Sequence, residues 1–144
     1  MAEGMNAPLY TTEILRLAAS LGEPRNLATE HGRAELRSPT CGSRVSTAVE
    51  LDTDGKIAAI SQQVHACAFG QASAALLERG AVGRTRSEVK DAHDRFGAWL
   101  EGSADEPGDW PGLTTLAPAR SRKSRHGAIL LPFRALLAAI ESAR

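Results

Sequence analysis

Cysteines are few in this sequence, no charge excess exists, and no long apolar run is found. Only two cysteines, Cys41 and Cys67, occur in 144 residues. A chain of this length can bury a core without a disulfide staple, so neither is needed for stability. In a reducing compartment such a pair is more often a metal ligand, a reactive thiol or an inert core residue than a disulfide. Seventeen basic residues balance seventeen acidic ones. That balance removes the electrostatic case for nucleic acid or an anionic membrane as partner. No apolar stretch reaches the roughly 18–20 residues of a membrane helix. The opening Met1-Ala2-Glu3-Gly4-Met5 carries an acid and precedes no apolar h-region. A cytoplasmic protein without a signal peptide is therefore expected. The spacings C-x-x-C, H-x-x-x-H and H-E-x-x-H are absent too, as are internal repeats and low-complexity tails.

What is present reads as one ordinary globular domain over 1–144, with 42% hydrophobic and 24% charged residues. Residues 1–8 are expected to be disordered. Between Thr11 and Leu21, the residues Ile14, Leu15, Ala18 and Leu21 share a helical face, and Thr11 or Thr12 can cap it. Gly22, Pro24 and Asn26 end that helix. Ala34 to Ser38 alternates as a strand. Val45, Thr47, Val49 and Leu51 then alternate with Arg44, Ser46, Ala48 and Glu50, the pattern of a half-buried strand. Asp54-Gly55 signals a hairpin turn, and Ile57 to Val64 returns. From Cys67 the period becomes helical, through Ala68, Ala72, Ala75 and Leu76, with Gly80 as the expected stop. Thr85-Arg86-Ser87-Glu88 fits a capping box before Val89, Ala92, Phe96 and Trp99. Residues 101–112, rich in Gly, Pro, Asp and Glu, are expected to form a surface loop. Ala128 to Ala143 predicts a long amphipathic helix, in which Pro132 is tolerable if it lies in the first turn. The expected fold is α+β: a small three-stranded antiparallel sheet with helices on one face, an N-terminal helix and a long C-terminal helix.

Chemistry concentrates at the two cysteines. Cys41 sits in Pro39-Thr40-Cys41-Gly42-Ser43, a tight turn between strands. Cys67 sits where a strand gives way to a helix, and the positive end of a helix dipole favours thiolate, the form that binds metals and attacks sulfur. His126 lies just before the last helix, and His65 two residues before Cys67. If these helix starts and the turn meet at one end of the sheet, two thiolates and an imidazole converge there. Such a set suits zinc, ferrous iron or an iron–sulfur cluster. Against this, a free intracellular cysteine is commonly a small buried hydrophobe, and a lone histidine is more often hydrogen-bonded than a ligand. The basic run Arg120-Ser121-Arg122-Lys123-Ser124-Arg125 reads as a solvated loop, or as a docking patch through Arg120, Arg122, Lys123 and Arg125.

The order of these pieces resembles the NifU/IscU-type (SufU-like) iron–sulfur cluster assembly scaffolds. Pro24-Arg25-Asn26 is similar to that family's Pro-Arg-Asn. Pro39-Thr40-Cys41-Gly42-Ser43 resembles its Pro-x-Cys-Gly-Asp, and Ala66-Cys67-Ala68-Phe69-Gly70-Gln71-Ala72-Ser73 resembles the segment around its second cysteine. Gly83-Arg84-Thr85 resembles the Gly-Lys-Thr before its next helix. Arg125 to Ala139 resembles the Arg-x-x-Cys-x-x-Leu segment carrying the third cysteine. The resemblance runs from about Leu9 to Ile140. It implies assembly of a transient iron–sulfur cluster, sulfur from a cysteine desulfurase and delivery to acceptor proteins, by a monomer or weak homodimer; many members also hold zinc. Two departures stand out. Ser43 replaces the aspartate, and the third cysteine is absent, its place falling on Ala128 or Gly127. Cys41 and Cys67 carry over, with His126 as the third ligand and His65 or Ser43 as further candidates. Three readings follow: a non-enzymatic scaffold or carrier of iron or a cluster, a persulfide acceptor for a desulfurase, and a zinc- or partner-binding module that has lost cluster assembly. A cysteine hydrolase has no support, because no base or oxyanion hole is marked.

Overall fold

Hydrophobic alternation organises the sheet. The computed structural model describes residues 10–39 and 42–143. Among them, strands β1 (Gly32–Arg37), β2 (Arg44–Leu51) and β3 (Ile57–His65) form an antiparallel meander in the order β1-β2-β3. Leu36, Val45 and Val64 line up across the three strands, as do Gly32, Val49 and Ile60. These side chains share one face, so a single face meets the helices. Asp52 organises the β2–β3 turn: its carboxylate accepts from the amides of Asp54 and Lys56, both at 2.9 Å. Gly55 supplies the positive φ of 81° that the turn requires.

Among the described residues, four α-helices accompany the sheet: α1 (Thr12–Ala19), α2 (Ala68–Ala81), α3 (Arg86–Leu100) and α4 (His126–Glu141). Thr11 caps α1 by accepting from the Ile14 amide at 3.1 Å. The expected capping box at α3 is present, with Thr85 and Glu88 satisfying each other's orphan amides. α4 lies against β1 and β2, α2 against β3, and α1 against α2. Phe96, Trp110 and Phe133 meet edge-on in the core, with Phe133 5.6 Å from Phe96 and 5.2 Å from Trp110. No helix among the described residues is long and apolar enough to cross a membrane.

Several local expectations change. Gly80 does not stop α2, which runs to Ala81 and turns at Gly83, where φ is +90°. Gly80 is instead a packing glycine: a Cβ there would lie 2.6 Å from the Trp110 indole nitrogen. The basic run is not an open loop, because Leu113–Ser121 and Lys123–Arg125 form 3-10 turns leading directly into α4. α4 therefore starts at His126, which puts Pro132 in its second turn rather than its first. The missing proline amide leaves the carbonyl four residues back, on Ala128, without its helical donor. The segment 101–112 has no helix or strand, yet Trp110 anchors it. Its indole N–H donates to the Leu76 carbonyl at 2.9 Å. Residues 1–8, expected to be disordered, lie outside the described part.

Candidate functional site

Three segments reach the same end of the sheet. The β1–β2 turn closes through the Ser38 amide donating to the Ser43 carbonyl at 2.8 Å and the Gly42 amide donating to the Ser38 carbonyl at 3.2 Å. Gly42 takes a φ of 73°. Cys41, which this turn carries, lies outside the described residues. On the core side of the same strand ends, Val45 packs with Leu131 and Ala135 of α4, joined by Leu36 and Val64. Leu131 is one helical turn past Gly127, so the start of α4 sits beside the turn.

The second segment is the β3-to-α2 junction. Cys67 occupies the N-cap of α2 with extended backbone, φ −67° and ψ 173°. The Gln71 side-chain amide donates to the Ala66 carbonyl at 3.1 Å, and the Gln71 backbone amide to the Cys67 carbonyl at 2.9 Å. These bonds fix the corner that presents the thiol. Cys67 is half-buried, and it packs against the main core.

Two contacts bind the N-terminal halves of α2 and α4 together. The buried Ser73 hydroxyl donates to the Ile129 carbonyl at 2.6 Å. Gly70 also lets Ala128 approach closely, for a Cβ on Gly70 would stand 3.3 Å from the Ala128 carbonyl oxygen. Cys67 and His126 thus begin adjacent helices at one end of the molecule. His126 Nε2 lies 2.9 Å from the Ala119 carbonyl oxygen. A carbonyl only accepts, so Nε2 carries the proton and Nδ1 keeps its lone pair in the neutral ring. A backbone carbonyl that orients one ring nitrogen and leaves the other bare is the usual support of a histidine ligand.

Tyr10 was not singled out from the sequence, and it belongs to this site. Its ring meets Phe69 edge-on at 4.8 Å. Burial pushes the Tyr10 hydroxyl above its ordinary 10.0, and the charge of Cys67 and a hydrogen bond with its thiol act in the same direction. The Arg125 charge and a hydrogen bond from the Ala68 backbone pull the other way. Tyr10 is therefore near enough to both Cys67 and Arg125 to feel their charges. No spacing rule marks it, since it precedes the cap of α1 and acts only through tertiary contact.

The other candidate residues are dispersed. His65 ends β3 on the opposite, outer face of the sheet, exposed and paired across the strands with Arg44, which in turn faces Arg37. Ser43 is buried beside the turn, 5% exposed. Arg120 is occupied within the chain: its Nε donates to the Trp99 carbonyl at 2.8 Å, and its guanidinium lies 5.0 Å over the Trp99 ring. Arg122 and Lys123 are exposed, and Arg125 is half-buried. Among the described residues, no group of three or more His, Cys, Asp or Glu is gathered as a metal site. Of the candidate ligands described, Cys67 and His126 begin the two contacting helices.

Charge is distributed unevenly around this end. No aspartate or glutamate occurs at 36–49, 55–77 or 110–140, the three stretches that converge here. Arg37, Arg44, Arg122, Lys123, Arg125 and Arg134 all lie in them.

No protein-family model matches the chain, and no curated protein sequence matches it either. Solved structures do. A nitrogen-fixing NifU-like protein (N-terminal) from Brucella abortus is 30% identical, with 93% of this chain and 93% of that chain covered and a TM-score of 0.84. A putative iron–sulfur cluster assembly scaffold protein for the SUF system from Fervidobacterium islandicum is 20% identical, over 92% of this chain and 96% of that one, with a TM-score of 0.81. A hypothetical protein is 22% identical, over 90% of this chain and 97% of that one, at a TM-score of 0.73. The latter two likenesses establish shared fold.

Proposed function

The chain belongs to the NifU/IscU/SufU-type iron–sulfur scaffold family, and on that premise we propose that it is a non-enzymatic cytoplasmic scaffold or carrier. Its cargo is iron or a transient iron–sulfur cluster, held by Cys41, Cys67 and His126. Sulfur would come from a cysteine desulfurase, and the cluster would pass to acceptor proteins. The observation that carries this reading is the pairing of the two helix starts. Ser73–Ile129 and Gly70–Ala128 join the two helices that Cys67 and His126 begin, and the Ala119 carbonyl engages His126 Nε2, which supports this ligand set.

Two thiolates and a neutral imidazole bring less negative charge than three thiolates and a carboxylate. A single ferrous or zinc ion would be completed by water. A [2Fe–2S] cluster takes four terminal ligands and so lacks one here. His65 is poorly placed to supply it, being on the outer sheet face, and the Ser43 hydroxyl rarely ionises at neutral pH.

Incubation without oxygen with ferrous iron, cysteine and a cysteine desulfurase tests the proposal. Thiolate-to-iron absorption should develop on the protein, and Cys67→Ser should abolish it. Absence of colour and of bound iron in the unaltered chain would refute the scaffold role. The short ligand set favours a second reading, in which Cys41 or Cys67 only accepts persulfide sulfur. Mass spectrometry after the same incubation would then show added sulfur without iron.

A further inference from the structure

The face of the sheet turned away from the helices has a chemistry of its own. Register sets three side-chain rows on it: Arg33, Ala48 and Ser61; then Glu35, Ser46 and Gln63; then Arg37, Arg44 and His65. The linker from α1 to β1 reaches the first row, where the Arg25 amide donates to Ser61 Oγ at 2.8 Å. Between linker and strands is an open cavity of about 240 Å³, with Arg25, Asn26, Arg33, Ser46, Ser61 and Gln63 among its walls.

No carboxylate lines that cavity, and its polar groups are biased toward donation. Ser61 Oγ accepts from Arg25, and Ser46 Oγ accepts a long bond from Arg33 at 3.5 Å. Each hydroxyl therefore keeps its proton for another partner. Arg33 is paired with Glu30 at 2.7 Å, whereas Arg25 makes no ion pair among the described residues. The third row opposes like charges. Arg37 faces Arg44 directly across the strands, an arrangement that costs stability. Arg37 has only a 3.7 Å contact with the exposed Glu35, and Arg44 makes no ion pair among the described residues. Such a face is complementary to an acidic surface. The cavity is smaller than the roughly 300–1,000 Å³ of small-molecule sites, which favours one protein side chain over a free ligand.

We propose that this face docks a partner protein through an acidic segment, one carboxylate of which enters the cavity. Arg25 and the Ser46 and Ser61 hydroxyls would receive that carboxylate, while Arg37 and Arg44 meet the neighbouring acids. His65, in the third row, stands two residues before Cys67, so a partner held here lies beside the corner that carries the thiol. The docking needs no metal. It goes beyond the scaffold reading, and either can fail without the other.

The probe is an octapeptide alternating glutamate with threonine, set against its glutamine counterpart. Each is titrated into the metal-free, nitrogen-15-labelled protein at low ionic strength, and amide shifts are followed by NMR. Shifts should cluster at 24–26, 33–37, 44–48 and 61–65. Half-saturation should need on the order of tenfold more of the glutamine peptide, with the gap closing in high salt. Arg25→Glu and Arg44→Glu should each weaken the acidic peptide by a similar factor, on the order of tenfold. Arg25 is exposed, and Arg44→Glu turns a like-charge pair with Arg37 into an opposite one, so neither change threatens folding. Lys123→Glu, the same reversal on an exposed lysine outside this face, should leave binding unchanged. No binding, equal binding of the two peptides, shifts centred elsewhere, or a loss in Lys123→Glu as large as in Arg44→Glu would overturn the proposal. So would a dimer in sedimentation that Arg44→Glu dissolves, since the face would then belong to a second copy.

Discussion

Gly70→Ala tests whether the helix starts are held as described. Gly70 lies in the first turn of α2, where an added Cβ would stand 2.7 Å from Ala66 Cβ and 3.3 Å from the Ala128 carbonyl oxygen. Ordinary contact begins near 3.4 Å. Ala66 is part of the corner pinned by Gln71, and Ala128 belongs to the first turn of α4, so neither is a flexible side-chain end. Inserting a methyl into a packed contact costs about 1–3 kcal/mol. Replacing glycine in a helix returns up to about 1 kcal/mol. The expected net loss is about 1–2 kcal/mol, or about 3–8 °C in the thermal midpoint for a domain of this size. Gly97→Ala is the control. It lies within α3, where the new methyl would find only Leu130, at 3.6 Å and 3.9 Å. That change should stabilise by about 0.5–1 kcal/mol. Circular dichroism melts of the three proteins, metal-free and at one pH, give the comparison. A Gly70→Ala midpoint equal to or above the parent's would refute the close approach of α2 and α4, and with it the adjacency of Cys67 and His126.

Two more predictions concern stability. Ser73→Ala removes a fully buried hydroxyl whose hydrogen bond to Ile129 is 2.6 Å long; it should cost about 1–2 kcal/mol in denaturant unfolding, and an unchanged midpoint would show that the bond contributes nothing. The pH dependence follows from three carboxylates held below their ordinary values. Lys90, then His93, lowers Asp94 from 3.8 by hydrogen bonding; the Thr85 amide lowers Glu88 from 4.5; Arg33 lowers Glu30 from 4.5. Their folded-state values are depressed, so the stability they contribute is present above the ordinary values and lost as pH falls through the folded ones. The thermal midpoint should therefore drop below about pH 4.5, modestly because all three are exposed and screened by salt. A midpoint that rises between pH 5 and 3 would contradict the assignment.

Local signals carried most of the architecture. Strand alternation at 45–51, the Asp54-Gly55 turn and the Thr85–Glu88 box each act within a few residues, so each could be read directly. The start of α4 could not. Its approach, Leu113 to Arg125, has no apolar period, and the 3-10 turns there are held by distant partners, such as Trp99 for Arg120. For the same reason Pro132 fell into the second turn. Gly80 looked like a helix stop, yet its lack of a side chain serves Trp110, 30 residues on. The site shows the same division. Cys67 was identifiable from its strand-to-helix junction and from the family motif. Tyr10 depends on how the chain returns upon itself, which leaves no trace in local spacing.

The most direct measurement is the iron, zinc and acid-labile sulfide content of the protein purified without oxygen, with its visible spectrum. Iron with matching sulfide is expected, with absorption that disappears in Cys41→Ser and Cys67→Ser and weakens or shifts in His126→Ala. Iron and sulfide retained in full by all three variants, or a protein that holds neither metal nor sulfide after reconstitution, would contradict it.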